Sequence, residues 1–312
     1  MEYINVLGYK ISRLILGTVQ FGLNYGIANK SGKPSKEQVE EILLNAFDSG
    51  INALDTANAY GDSEKILGEI ISKYPKKEDI IIITKLSPKV DETTSDREIK
   101  NQIEQSVHSS LSNLNLDSIP IYMLHRAEQM LIKDGAVIKH ISRLKEEGLI
   151  NNIGVSVYTP EEAETALSID EITAIQVPFN VFDHRLIKSG FFEKAHSKDI
   201  AVFVRSIYLQ GLILMENSDV PDKLMDIIPF KNQLKEICEH SGRTVNEVAM
   251  KFPLTQEGVT GIVFGVDNLN QLKENINLYN KHSLEKPIIE NILNEFNDIP
   301  EYLLDPRQWK VK

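Results

Sequence analysis

A carboxylate, a phenol, an ammonium and an imidazole stand at the ends of three successive apolar runs. In Ile51-Asn-Ala-Leu-Asp55-Thr-Ala-Asn-Ala-Tyr60-Gly61, Asp55 closes a short strand-like stretch and Tyr60 follows in the turn toward the next helix. Lys85 ends the run Ile80–Thr84, and His125 ends Ile119–Leu124. In a parallel α/β sheet the C-terminal strand ends face one crevice or barrel mouth, so groups placed there are expected to converge. A tyrosine hydroxyl, with an ordinary pKa near ~10, is a poor acid at neutral pH until a cation lies close. Lys85 is expected to supply that cation, Asp55 to hold the ammonium charged and oriented, and neutral His125 to fix a carbonyl oxygen. Such a set polarises a C=O and protonates it as hydride reaches the carbon, which suits a bound nicotinamide as hydride source. Each residue also has a plain structural reading. Asp55 could cap the following turn, Tyr60 could be an amphipathic rim residue, Lys85 could be solvated and His125 could be a hydrogen-bonded loop neighbour. The coincidence of all four at strand ends favours chemistry.

The elements that must position them alternate almost without break. Buried strands are predicted near Leu14–Thr18, Asn52–Asp55, Ile80–Lys85, Pro120–Leu124, Asn152–Val155, Ala174–Val177, Ala201–Arg205 and Gly261–Phe264. Runs such as Ile80 to Ile83 lack polar alternation, as expected when both sheet faces are covered. Helical spacing separates them, as in Val39, Ile42, Leu43, Ala46 and Phe47. Ser35 with Gln38, Thr159 with Glu162 and Thr244 with Glu247 read as capping boxes that open helices. Eight strand–helix pairs predict a (β/α)8 TIM barrel. Tyr3–Val6 and Lys10–Ser12 flank Leu7-Gly8-Tyr9 and read as an N-terminal β-hairpin plugging the barrel floor. The span from Arg205 to Gly261 is too long for one loop and helix, so a long loop near 209–226 and an extra helix are expected. The tail after Ile299, with Trp309, reads as an irregular extension. With no linker, repeat or low-complexity tract, residues 1–312 read as a single domain.

Composition narrows the partners. Forty-five acidic against 34 basic residues give a net charge of −11, which disfavours nucleic acid or an anionic membrane surface. With 312 residues, 42% of them hydrophobic, the chain can bury a large core. The lone cysteine, Cys238, excludes an intramolecular disulfide framework and fits a reducing compartment, with the thiol packed in or near the core. Met1-Glu2-Tyr3 lacks a basic region followed by an apolar run, so no secretory leader is expected. No apolar run reaches the ~18 residues that span a bilayer. A cytoplasmic location follows as the expectation. No two glycines lie two positions apart, which removes the G-x-G-x-x-G dinucleotide fingerprint. A Walker loop, H-E-x-x-H, cysteine-based metal spacing and G-x-S-x-G are also absent. No metal site is expected.

On these residues the chain resembles the aldo-keto reductase family over nearly its whole length. Leu54-Asp55-Thr56-Ala57-x-x-Tyr60-Gly61 is similar to its D-T-A-x-x-Y-G signature, with Glu64 following, and Leu16-Gly17-Thr18 resembles its first strand and loop. Thr84-Lys85 and Leu124-His125 fall where the family's lysine and histidine fall. The resemblance implies a catalytic tetrad of Asp55, Tyr60, Lys85 and His125, with Tyr60 as general acid reducing a small-molecule aldehyde or ketone. Gly148 to Ser156 is similar to G-K-I-R-x-I-G-V-S, and Gln176 to Asn180 resembles Q-x-x-Y-N. By that likeness Ser156 and Gln176 hydrogen-bond the nicotinamide carboxamide. Arg205-Ser206-Ile-Tyr-Leu209-Gln-Gly211 corresponds to Y-S-P-L-x-x-G, and Gly265 to Asn275 matches the family's cofactor-binding helix. The implied cofactor contacts are Gly17, Thr18, Asp55, Ser156, Gln176, Arg205, Ser206, Leu209, Gly211, Gly265, Asp267, Gln271, Glu274 and Asn275.

Three departures bear on the chemistry. Val157 replaces the asparagine that usually follows the motif serine. Arg205 replaces the aromatic ring that stacks on nicotinamide, and as a cation it could face an anionic substrate or pyrophosphate instead. Asp267 and Gln271 stand where basic residues usually grip a 2′-phosphate. The resemblance implies NADP(H), while an acidic residue at that place favours NAD(H), unless Asp267 or Asn268 merely caps the helix. Arg126, Tyr208 and Gln210 near the rim favour a polar or sugar-like carbonyl. Two other classes fit the residues: a Schiff-base aldolase using Lys85, and a weakly catalytic, cofactor-binding regulatory or redox-sensing protein. The oligomeric state is not specified.

Overall fold

The computed structural model describes residues 1–29, 31–86 and 88–309. Two antiparallel strands open the chain, β1 (Tyr3–Val6) and β2 (Tyr9–Ser12). Eight parallel strands follow: β3 (Leu14–Gly17), β4 (Ala53–Asp55), β5 (Ile81–Leu86), β6 (Ile119–Leu124), β7 (Ile150–Ser156), β8 (Ile172–Pro178), β9 (Ala201–Arg205) and β10 (Val259–Gly265). They close into a barrel in the order β10-β3-β4-β5-β6-β7-β8-β9. The (β/α)8 architecture and the hairpin are as the alternation of runs implied. No helix among the described residues is long and apolar enough to cross a membrane.

The core has two parts. Ile15, Ala53, Ile81, Ile83, Ile121, Met123, Ala174, Ala201 and Phe203 fill the barrel interior, while a larger layer lies between the strands and the surrounding helices. The hairpin closes the N-terminal end. Val6, Leu7 and Tyr9 pack against the interior cluster. Asn52 ahead of β4 accepts from the Ser12 amide at 2.8 Å, and Asn152 of β7 donates to the Leu7 carbonyl at 3.3 Å.

Ser35 and Thr159 form complete capping boxes with Gln38 and Glu162. Thr244 does so only by half. Its hydroxyl accepts from the Glu247 amide, but the Glu247 carboxylate is drawn to Arg243 and Lys281 instead. Charged partners outcompete a lone backbone amide for a nearly buried carboxylate. The long connection after β9 carries 3₁₀ turns and then two helices, Ile228–His240 and Val245–Lys251, in keeping with the long loop and extra helix expected there. Cys238 is buried on the first of these, and burial pushes its thiol up to about 12. The C-terminal segment is more ordered than its composition suggested. Glu301–Leu304 is helical, and Trp309 donates its indole N–H to the Tyr302 carbonyl at 2.8 Å.

Candidate active site

Strand periodicity does most of the positioning. Side chains two apart share a face, and the interior apolar positions of each strand lead directly to a polar one at its end. Ala53 leads to Asp55, Ile81 and Ile83 to Lys85, Ile121 and Met123 to His125, Ala174 to Gln176, and Ala201 and Phe203 to Arg205. Neighbouring registers set these ends side by side, with Gly17 opposite Asp55, Ser156 opposite Gln176 and Gly265 opposite Gly17.

At the centre is a buried ion pair. The Lys85 ammonium donates to both Asp55 oxygens at 2.7 and 2.8 Å and to the Thr56 carbonyl at 2.9 Å, which uses all three of its protons. Gln176 Nε2 donates to Asp55 Oδ1 at 2.7 Å. Lys85 is only 1% exposed, so the solvated reading is excluded, and Asp55 is no turn cap. On the outward face of β5, Thr84 donates to Glu64 at 2.7 Å, which fixes the helix after the tyrosine loop to this strand.

Tyr60 stands over the pair, its ring centroid 5.3 Å from Lys85 Nζ. The His125 ring meets it edge-on, with centroids 5.6 Å apart and planes at 81°. The loop is held by a close crossing. A Cβ on Gly22 would lie within 1.7 Å of the Tyr60 carbonyl oxygen, so only glycine admits the Tyr60 backbone there. Gly61 is left-handed at φ 54°, and its own Cβ would meet the Gly22 carbonyl at 2.6 Å.

The electrostatics differ from the sequence expectation in one respect. Desolvation, and then the Asp55 carboxylate, hold the Tyr60 phenol above its usual range, with Arg205 opposing. Lys85 was expected to acidify the phenol, but Asp55 is clamped onto its ammonium and neutralises most of the field. Burial pulls Lys85 down from the lysine range while Asp55 opposes. His125 is pushed down to about 3 by burial and then by Lys85, Arg205 and Arg126, so its imidazole is neutral at working pH.

From Tyr60 and His125 a cavity of about 630 Å³ runs along the barrel rim to Asp267, Gln271, Glu274 and Asn275. Every expected cofactor residue lines it except Leu209, whose side chain is fully buried in the core. Leu209 lies in a turn in which Ser206, Leu209 and Gln210 all have positive φ, and that backbone swings its side chain inward. Lys85 lies beneath the lining rather than in it. Arg126 is outside the cavity, paired with Glu128 on the surface.

Asn268 caps the helix Leu269–Asn280 by accepting from the Gln271 amide at 3.0 Å, so Asp267 does not. Gln271 accepts from the Asp267 amide at 2.8 Å and donates to Asp267 Oδ2 at 3.3 Å. Asp267 Oδ1 is buried without a hydrogen-bond partner, and desolvation raises the carboxyl pKa. Gln20 Oε1 is likewise buried and unpartnered against the same groove. Orphaned acceptors of this kind signal a missing donor. An elongated groove with a carboxylate at its far end and Ser156 and Gln176 at the near end fits a nicotinamide dinucleotide. Lys273, the one lysine between Gly265 and Asn275, is exposed and does not line the groove.

Sequence reasoning missed Tyr25, Tyr158 and Arg307. Tyr25 and Tyr158 line the cavity. Tyr158 lies just before the Thr159 cap, where Glu162 accepts from its amide at 2.5 Å. Arg205 Cζ is 4.0 Å and Arg307 Cζ 3.9 Å from its ring centroid. Both guanidinium groups therefore lie against this one ring. Arg307 comes from the tail, far away in sequence, and nothing local marks it.

A parallel eight-stranded barrel with a Lys–Asp pair, a tyrosine and a histidine at its mouth defines a class of oxidoreductase. The aldo/keto reductase family matches residues 13–293, and the chain belongs to it, as an NAD(P)H-dependent oxidoreductase. It is 26% identical over 339 aligned positions to aldo-keto reductase YhdN of Bacillus subtilis, with 100% of both chains covered. It is 25% identical to the NADH-specific methylglyoxal reductase of Escherichia coli, covering 85% of this chain and 89% of that one. Among solved structures, aldo-keto reductase AKR11C1 from Bacillus halodurans superposes with a TM-score of 0.76 at 20% identity, covering 97% of this chain and 98% of the other.

Proposed function

We propose that residues 1–312 act as one cytoplasmic domain that reduces a polar aldehyde or ketone to an alcohol, with NAD(H) favoured over NADP(H). The observation carrying this is the Tyr60–His125 pair facing one cavity directly above the buried Lys85–Asp55 pair. A reduced nicotinamide held by Ser156, Gln176 and the Gly265–Asn275 segment would supply hydride to the carbonyl carbon.

Tyr60 gives its hydroxyl proton to the carbonyl oxygen. A phenol held above its usual range keeps that proton until the oxygen has gained alkoxide character, so release follows the charge rather than preceding it. The phenolate left behind is stabilised mainly by the Arg205 guanidinium, the cation that opposes the raised Tyr60 phenol, because Asp55 neutralises most of the Lys85 charge. Neutral His125 serves as an uncharged hydrogen-bond donor that orients the oxygen and does not compete as an acid. Asp55 keeps Lys85 protonated, and Gln176 fixes Asp55. Commitment of all three Lys85 protons speaks against a Schiff-base aldolase.

The NAD(H) preference rests on the unpartnered Asp267 Oδ1, which can accept from a free 2′-hydroxyl and would repel a 2′-phosphate. The NADH specificity named for the E. coli relative agrees with it. Two titrations test both parts. NADH is expected to be oxidised saturably by a panel of aldehydes and ketones, and no turnover with any of them would remove the reductase reading. By fluorescence, NADH is expected to bind about tenfold or more tighter than NADPH (~1.4 kcal/mol). Asp267→Arg should reverse that order, and an unchanged ratio would discard the role given to Asp267.

A further inference from the structure

Arg205 has an unusual set of partners for a charge at a catalytic mouth. Its three polar contacts are all to neutral oxygens: Nε to Ser156 Oγ at 3.3 Å, Nη1 to Ser206 Oγ at 3.2 Å and Nη2 to the Val157 carbonyl at 2.8 Å. Among the described residues it forms no ion pair. The nearby carboxylate, Asp55, is taken by Lys85. Arg307, which also lies against Tyr158, is neutralised by Asp305 and Glu162. Of the two guanidinium groups against Tyr158, Arg205 is therefore the one that lacks a counterion among the described residues, held by the ring and by its three hydrogen bonds.

The charge sits at the reacting end of the groove. It works against the desolvation that raises the phenols of Tyr60 and Tyr25 and adds to the burial that lowers the imidazole of His125, whereas Asp267 at the other end is governed by desolvation and Gln271. In a chain of net charge −11, a walled pocket with an uncompensated cation concentrates small anions. A planar guanidinium fork suits carboxylate or phosphate oxygens in particular.

We infer that the carbonyl substrate carries its own anionic group, a carboxylate or a phosphate, which Arg205 binds while the carbonyl oxygen lies against Tyr60 and His125. This rests on the carbonyl-reduction reading and makes Arg205 the residue that selects among carbonyls.

The test compares compounds that differ in charge: 4-oxobutanoate against its methyl ester, and glyceraldehyde 3-phosphate against glyceraldehyde. In at least one pair the anion is expected to have a kcat/KM about tenfold or more higher. The carboxylate and phosphate arms separate the two sources of charge. In Arg205→Gln the anion-to-neutral ratio should collapse toward one, and in Arg205→Lys it should fall only in part. The ratio cancels any effect of Arg205 on cofactor affinity. Binding of ADP-ribose, which has the pyrophosphate but no nicotinamide, should be unchanged. A wild-type ratio near one in both pairs overturns the inference, as does a ratio that survives Arg205→Gln. Weaker ADP-ribose binding with the ratio intact assigns Arg205 to the pyrophosphate instead. If neither member of either pair turns over, the reductase reading is judged separately, by the wider panel of aldehydes and ketones. Calorimetric titration of the NADH complex with the same pairs then decides the anion subsite alone.

Discussion

At the scale of single residues the site depends on how a phenol keeps and gives up a proton. Tyr60→Phe removes the hydroxyl and leaves the ring against His125, so kcat should fall by about a thousandfold or more. NADH affinity by fluorescence should stay within about twofold, because the ring still fills its place. Retained turnover would mean that another group is the acid. The four polar strand ends were legible because each continues an inward-facing apolar register, as Ile81 and Ile83 do for Lys85. Their electrostatics were not. Spacing reveals that a lysine and an aspartate are near a tyrosine, but not that both aspartate oxygens are committed to the ammonium. Arg205 was legible as a departure from the expected aromatic. Its partner Arg307 was invisible, since the contact spans about a hundred residues with no pattern linking its ends.

At the scale of elements, strands were easier to read than loops. Buried parallel strands are apolar runs bounded by turn chemistry, so β3 to β10 fell within a few residues of their expected limits. Loop conformation depends on contacts between distant segments, which is why the inward turn of Leu209 and the half-made cap at Thr244 were unforeseen. The crossing of Gly22 with the Tyr60 loop is the clearest such contact. Gly22→Ala puts a methyl into a carbonyl oxygen, and neither backbone can move without shifting Tyr60. Thermal stability should drop by about 2 kcal/mol or more, and kcat should fall further than NADH affinity. Unchanged melting and turnover would show that the loop yields freely and does not fix the tyrosine.

At the scale of the whole molecule, two imidazoles, His184 buried and His125 half-buried, set a pH dependence. His125 is pushed down to about 3 and His184 to about 4, from an ordinary value of 6.5. The unfolded chain therefore binds protons that the folded one refuses. Their contribution is fully present above pH 6.5 and is lost as pH falls toward 4 and then 3, at ~1.4 kcal/mol per pH unit for each group. Urea unfolding at pH 7 and pH 5 should show that loss, and His125→Asn should reduce the slope. A slope unaffected by the substitution would mean that the imidazole protonates without leaving its place. The hairpin has a different kind of consequence. With Val6, Leu7 and Tyr9 packed beneath an interior already filled by side chains, nothing can pass through the barrel, and the dinucleotide and the molecule it reacts with would share the cavity at the rim. Whatever settles deeper there would enter first and leave last, so the order of events in each catalytic cycle is expected to follow from that sharing.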